Sequence, residues 1–321
     1  MNRLTGQESI LEPLRELLKS SRLPTSFVMA GSVGSGKKTL ARILARAVNC
    51  SEGRLNEDCS CNPCHKIETG IHPEVRWIGL DEEQYSIKIE EIHQLMNWAS
   101  FKVMEGNKKI FILNRAERMT EEAANALLKT LEEPPADTLI FLLIENPANL
   151  RQTLLSRCFM IKMRPLALKT VREVLVNEFA WDPEEAGLAA KCSQGWLGRA
   201  LRFKDENFTE MRKLFLEEIL PQPVIGFERW AGKKRREISK ALRFLALLLR
   251  DLAVYRVTKS ADLLYQERFG GEFEKWSARL DTDAILELLN LIDEIQAALE
   301  DNVNPKIALS RLSTAMTKCY E

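Results

Sequence analysis

The chain has 321 residues, too many for one compact core, so two or three domains are expected. Its composition, 45% hydrophobic and 29% charged, is ordinary for a globular protein. With 46 Lys+Arg against 46 Asp+Glu, net charge points neither toward nucleic acid nor away from it, and any DNA contact must rest on local charge or on surface shared with other subunits. The longest apolar runs, 139–144 and 244–249, are six residues each, against the roughly 20 that a bilayer span needs, so no membrane partner is expected. The first twenty residues carry charges throughout and lack a signal-peptide apolar core, which reads as a cytoplasmic chain. Seven cysteines in a reducing compartment point to metal binding or buried thiols rather than a disulfide framework.

In chain order, 8–19 has the spacing of an amphipathic helix, with Ile10, Leu11, Leu14, Leu17 and Leu18 on one face. "SFVMAG" (26–31) is a short buried strand, and "GSVGSGKKTLARILARAV" a glycine loop opening into a helix. A cysteine-rich insertion runs from Cys50 to Cys64. "VRWIGL" (75–80) is a second strand, 87–100 a second helix and "KIFILN" a third strand. The stretch 120–135 is a helix with Thr120 as N-cap, Glu121 and Glu122 in its first turn and Pro134-Pro135 as its stop. "TLIFLLIE" (138–145) and "FMIKM" (159–163) complete five strands. Strands alternating with helices predict a parallel α/β sheet covered on both faces. After Pro165 the strand signal disappears: 166–206 holds two or three short helices, and the chain is helical from about 208 onward. Within that part 236–257 is apolar on nearly every side, 284–299 is a further helix, and another restarts at Asn304-Pro305.

Residues 31–38, "GSVGSGKK", fit G-x-x-x-x-G-K between a strand and a helix, the setting of a phosphate-binding loop. Gly31, Gly34 and Gly36 let successive backbone N–H groups turn inward as an anion nest, the helix start adds its dipole, and Lys37 would reach the β and γ phosphates. The hydroxyl that should follow the lysine and bind magnesium is absent. Lys38 stands there, and Thr39 lies about 100° further around the helix. Cys50, Cys59, Cys61 and Cys64 form C-x8-C-x-C-x2-C, enough thiolates to close a tetrahedral zinc site. His65 could replace one sulfur, but four sulfurs in a structural role leave no position open for catalysis and are the favoured set.

These features, with "LTGQESILEPL", "RAERMTEEAANALLKTLEEPP", "FLLIENPANLRQTLLSRC" and "NVNPKIALSRL", resemble the clamp-loader branch of the AAA+ ATPases, and within it the delta-prime type of the bacterial DNA polymerase III clamp loader. The resemblance spans nearly the whole chain, and the pairing of "LLKTLEEPP" with "LLSRC" is specific to that family. It implies a RecA-like nucleotide domain at 1–165 with sheet order 5-1-4-3-2 and a zinc module at 50–64. A helical lid at 166–207 and an all-helical collar at 208–321 follow, the collar joining five subunits into a ring. Implied partners are the gamma/tau motor subunits, the delta subunit and, through the assembly, the sliding clamp and primer–template DNA. One departure is that "CSC" (59–61) is one residue shorter than the family's usual C-x2-C.

Other departures concern hydrolysis. Asn114 takes the place of the magnesium-orienting aspartate and Arg115 that of the water-activating glutamate; an amide cannot balance the metal's charge, and a guanidinium cannot accept a proton. In "GWLGRAL" (195–201) Gly198 takes the place of the sensing arginine, with Arg199 one position late. The expectation is a subunit that can hold ATP or ADP without hydrolysing it. "SRC" (156–158) is intact, so the resemblance implies that Arg157 acts in trans as an arginine finger in a neighbour's ATP site; the bland alternative is a local pair with a surface carboxylate. Two further alternatives stand beside this reading. One is an ATP-hydrolysing motor subunit or related DNA-repair ATPase, which needs Asp-Glu at 114–115 and a hydroxyl at 38; the other is a zinc-dependent nucleic-acid binder, against which the acidic and neutral residues around the cysteines speak. For Asn114 and Arg115 themselves the alternative is a register shifted by a few residues, with Glu117 as catalyst. The run 233–236, "KKRR", reads as a solvated face, Cys158, Cys192 and Cys319 as packing thiols, His72 as a loop residue and His93 as a surface position.

Overall fold

Five strands, β1 (Ser26–Ala30), β2 (Val75–Ile78), β3 (Lys109–Asn114), β4 (Thr138–Ile144) and β5 (Phe159–Lys162), pair in parallel in the order β2-β3-β4-β1-β5. This is the expected 5-1-4-3-2 read from the other edge. The computed structural model describes residues 4–19, 23–53, 59–79, 86–203, 215, 219, 226, 227, 230, 232–260, 264, 276, 280–300 and 303–319. β1, β3 and β4 are buried at every residue because both faces of the sheet are covered. Phe27, Met29, Ile110, Ile112, Phe141 and Leu143 pack on one face with Leu11 and Leu14 of α1 (Glu8–Lys19) and Leu40 and Leu44 of α2 (Lys37–Asn49). Val28, Phe111, Leu113, Ile140 and Leu142 pack on the other with Ile92 and Leu95 of α4 (Ile89–Ala99) and Leu127 and Leu131 of α5 (Glu121–Glu132). The central strands therefore read as unbroken apolar runs rather than alternating ones.

The chain divides into two compact units, one of Met1–Ala180 with Gln194–Arg199, the other of Trp181–Ser193 with Ala200–Glu321. The first holds the sheet, its flanking helices and α7 (Leu168–Phe179). The second is helical, with α8 (Pro183–Cys192), Arg235–Thr258, Thr282–Glu300 and Pro305–Lys318. Its core joins Leu242, Leu245, Leu249 and Leu252 to Ile285, Leu288, Ile292 and Ile295, and to Leu309, Leu312 and Met316. Helix α9 (Leu197–Arg202) contributes to both units. Among the described residues no helix is long and apolar enough to cross a membrane.

Caps follow the sequence where polar side chains supply them. The Ala123 amide donates to Thr120 Oγ1 at 3.2 Å and the Lys306 amide to Asn304 Oδ1 at 3.0 Å. Three local features differ from expectation. The helix after β2 begins at Ile89, because Ile87 is drawn into a bridge with Met119: the Ile87 amide donates to Arg118 O at 3.0 Å and the Thr120 amide to Ile87 O at 2.9 Å. The cysteine insertion contains a helix, α3 (Asn62–Thr69), that periodicity does not announce. His72 sits in a loop but is buried, its Nδ1 accepting from the Glu74 amide at 3.1 Å.

Burial lowers the His72 pKa below the ordinary 6.5, against the pull of Glu105 and Glu74 and with the support of Lys66. A depressed folded pKa means that the unfolded chain binds the proton first. The contribution of His72 to stability is therefore complete above about pH 6.5 and is lost as pH falls from there through the folded value. The expected result is that His72→Gln, which keeps an acceptor for the Glu74 amide, loses less thermal stability between about pH 7.5 and pH 5 than the parent chain. Equal pH slopes in the two proteins would refute it.

Candidate nucleotide cradle, cysteine centre and surface arginine

β1 is the strand from which the glycine loop leaves, and its end is fixed on both sides: the Gly31 amide donates to Ile144 O at 3.1 Å and the Met163 amide to Ala30 O at 2.8 Å. Gly34 and Gly36 take φ of 82° and 94°, and a Cβ on Gly36 would lie 2.6 Å from Leu4 Cδ1. At that φ any other residue would be strained, and the Leu4 side chain would have to move. Ser35 is buried and its Oγ has no partner, so an unused hydroxyl sits inside the loop where α2 begins. Positive-φ turn, helix start and orphaned hydroxyl suit a phosphate. Lys37 Nζ donates to Gly31 O and, at 3.1 Å, to Ser32 O. Burial pulls its pKa below the usual lysine value; the charges of Glu145 and Glu117 oppose that drop, while Lys38 and Arg115 add to it. Lys38 is exposed and Thr39 half-buried in the first turn of α2.

At the end of β3 the side-chain amide of Asn114 donates to Gly79 O at 2.7 Å, tying β3 to the residue after β2. Gly79 has φ 71°, and a Cβ there would strike Asn114 O at 2.5 Å. Arg115 follows in the left-handed region at φ 57°. No carboxylate stands at 114–115. The charges of two carboxylates nevertheless act on Lys37 from elsewhere, Glu117 in the 3-10 turn Ala116–Arg118 and Glu145 just past β4. Glu117 Oε1 accepts from the Glu145 amide at 3.3 Å, its Oε2 is buried without a partner, and burial raises its pKa. Glu145 escaped the sequence reading, which followed the end of β3 alone. Among the described residues, the one group of three or more side chains able to hold a metal ion is the cysteine cluster.

Gly198, expected at the place of a sensing arginine, is pressed against the glycine loop. The Gly198 amide donates to Gly34 O at 3.0 Å, and a Cβ on Gly198 would lie 2.7 Å from that oxygen. A Cβ on Gly34 would in turn lie 2.5 Å from the Arg199 nitrogen. The start of α9 thus meets the loop backbone to backbone.

The four cysteines come together with all their Sγ atoms within 4.8 Å of one another. Cys50 Sγ lies 3.5 Å from Cys59 Sγ and 3.8 Å from Cys61 Sγ, and none of the four is in a disulfide. Tetrahedral zinc with bonds of about 2.3 Å sets its sulfurs about 3.8 Å apart, so the set fits that ion. Burial works against ionisation of Cys61, but hydrogen bonds from Ser51 and the Cys64 amide bring its thiol down to about 6. His65 is exposed and stands outside the cluster.

Arg157 follows α6 (Gln152–Leu155), just before β5. Its side chain is folded onto its own chain: Nη2 lies 2.6 Å from Glu132 Oε1, Nε donates to the same oxygen at 2.9 Å, and Nη1 donates to Thr153 O at 3.0 Å. The local pair with a surface carboxylate is thus what the single chain adopts. Both partners stay open to solvent, with 37% and 51% of their side chains exposed. In the basic run, Lys233 and Lys234 are exposed, Arg235 Nη1 donates to Leu299 O at 3.2 Å, and the Arg236 side chain lies outside the described residues.

A family model described as "DNA polymerase III, delta subunit" matches residues 6–167, half of the chain. The chain belongs to this DNA polymerase III family. DNA polymerase III subunit delta' of Bacillus subtilis (strain 168) is 29% identical over 313 residues, 95% of this chain and 93% of that protein. DNA polymerase III subunit tau of Escherichia coli (strain K12) is 31% identical over 211 residues, 63% of this chain but 32% of tau, so the likeness to tau spans about a third of its length. A solved structure of a DNA polymerase III gamma subunit-related protein from Thermotoga maritima superposes with a TM-score of 0.51 at 20% identity, covering 97% of this chain and 100% of that one. At that identity the likeness speaks for the fold.

Proposed function

We propose that this chain is a non-hydrolysing stator subunit of a bacterial replicative clamp loader. It presents Arg157 in trans to the ATP site of a neighbouring subunit while the sliding clamp is opened and placed on primer–template DNA. The observation that carries the reading is Asn114: where hydrolysis needs a carboxylate, an amide is committed to Gly79 O at 2.7 Å. Lys38 and Gly198 support it from two other positions. The likeness to delta' and tau favours an assembly with gamma/tau motor subunits and the delta subunit, within the cytoplasmic DNA polymerase III holoenzyme. The division into a nucleotide domain (1–165), lid (166–207) and collar (208–321) goes with this reading.

In the cradle, Gly31, Gly34 and Gly36 would turn backbone N–H groups to the phosphates of ATP or ADP, with Lys37 as point charge and Thr39 beside them. Bound nucleotide would then serve as ligand, since no group at 114–115 can accept a proton from water. Zinc would be held by Cys50, Cys59, Cys61 and Cys64 as a closed structural cross-link.

The purified chain is expected to turn over no ATP in the presence of magnesium. Asn114→Asp with Arg115→Glu is expected not to restore turnover, because Lys38 and Gly198 remain. Steady hydrolysis by the single chain at the rate of a motor subunit would defeat the proposal. One observation favours a second reading, an ATPase: the unpartnered Glu117 Oε2, with its charge acting on Lys37. The same assay separates the two. That reading requires turnover in the parent chain that Glu117→Gln abolishes.

A further inference from the structure

A buried guanidinium lies against the cysteine centre, and none of the roles above uses it. Arg46 stands in the last turn of α2, with only 6% of its surface exposed. Its Nη2 donates to the Cys59 carbonyl at 2.8 Å, and the guanidinium also acts on the Cys64 thiol, favouring its ionised form against burial. It therefore acts on two of the four cysteines, Cys59 through its carbonyl and Cys64 through its thiol, from outside the insertion that carries all four.

Burying an arginine is costly unless charge or hydrogen bonds of the right kind meet it. Four thiolates around a divalent ion leave an excess of two negative charges in a site whose Cys50, Cys59 and Cys64 are nearly inaccessible to water. A planar fork that bonds the Cys59 carbonyl and lies beside the sulfurs suits that excess better than an ammonium does. Groups of this kind orient metal ligands, and their loss typically weakens metal binding about 10–100-fold. The competing explanation is local: a cation in the last turn of any helix interacts favourably with the helix dipole, by about 0.3–1 kcal/mol.

We propose that Arg46 is the positioning and counter-charge residue of the cysteine centre, fixing the Cys59 carbonyl and offsetting the charge of the metal-bound sulfurs. The inference rests on the zinc reading, and its test is built to fail separately from it. The full chain and Arg46→Met are loaded with zinc, titrated with a chromogenic chelator, and unfolded thermally with and without the ion. The parent is expected to hold one zinc per chain. Arg46→Met is expected to release it at about 10–100-fold lower chelator strength, with an unfolding temperature equal to the parent's once both are stripped of zinc. Arg46→Lys, which keeps the charge and loses the fork, falls between the two, and it carries the same comparison if Arg46→Met does not fold. Unchanged zinc affinity in a folded variant overturns the proposal. So does a loss of stability that is as large without zinc as with it, since that outcome assigns Arg46 to the helix end. A parent chain that takes up no zinc defeats the zinc reading itself and this inference with it.

Discussion

Arg157→Ala is expected to slow ATP hydrolysis by about 10³–10⁵-fold at the one neighbouring site that receives it, and so to lower turnover of the reconstituted clamp-loader assembly by that site's share, while leaving the chain's own fold intact. In free energy this is about 4–7 kcal/mol of barrier, the contribution of a guanidinium held against charge building on a γ-phosphate. The contact that competes for the side chain is much weaker. The Arg157–Glu132 pair is short, but both groups are solvated, and such pairs are worth about 0–1 kcal/mol. Releasing the arginine from Glu132 therefore costs a small fraction of what it gains at a phosphate. The comparison of magnitudes also sets the behaviour of Glu132→Gln: turnover by the assembly stays the same or rises by at most about 5-fold. DNA-stimulated turnover that is unaffected by Arg157→Ala would leave the local pair as the whole role of Arg157. A large loss in Glu132→Gln would mean that the carboxylate holds the arginine in its working position rather than competing for it.

The sheet was legible because its central strands are buried on both faces, so that 110–113 and 139–144 appear as unbroken apolar runs closed by turn residues. The glycine loop was legible because its chemistry lies within eight consecutive residues. What the sequence hid depends on approach in space. Gly34 and Gly198 meet across more than 160 residues, and only the backbone contact shows that the glycine at the place of a sensing arginine is pressed against the loop. Glu132 and Arg157 are 25 residues apart and meet at an ion pair that pattern reading could offer only as an alternative. Helix α3 buries just Cys64 and Ile67, too few positions to show a period. Glu117 was visible as a residue, but its burial and its effect on Lys37 follow from the turn that the left-handed Arg115 starts. The cysteines were legible as a group because the ligands of a metal site must be numerous and close, which few other roles require.

Cys64→Ser is expected to remove zinc from the chain and to loosen α3 without unfolding the sheet. Cys64 is 1% exposed and lies in the first turn of α3, while Ile67, one turn further on, is packed into the main core beside the sheet. Structural zinc binding is worth about 10–16 kcal/mol in small zinc-folded peptides. Here the strands and α2 keep their own core, so the loss is limited to the free energy that opens the insertion locally. The measurement is zinc content after dialysis, together with amide exchange: protection is expected to vanish over 62–69 and to persist over β3 and β4. Cys158→Ser is the control. Burial pushes its thiol up to about 12, it stands outside the cluster, and its replacement should leave the zinc content unchanged. If Cys64→Ser retains zinc as tightly as the parent, the fourth ligand is not this sulfur. If protection over β3 and β4 also collapses, the centre supports the nucleotide domain as a whole, and Arg46, which reaches from α2 to Cys59, is the connection through which it does so.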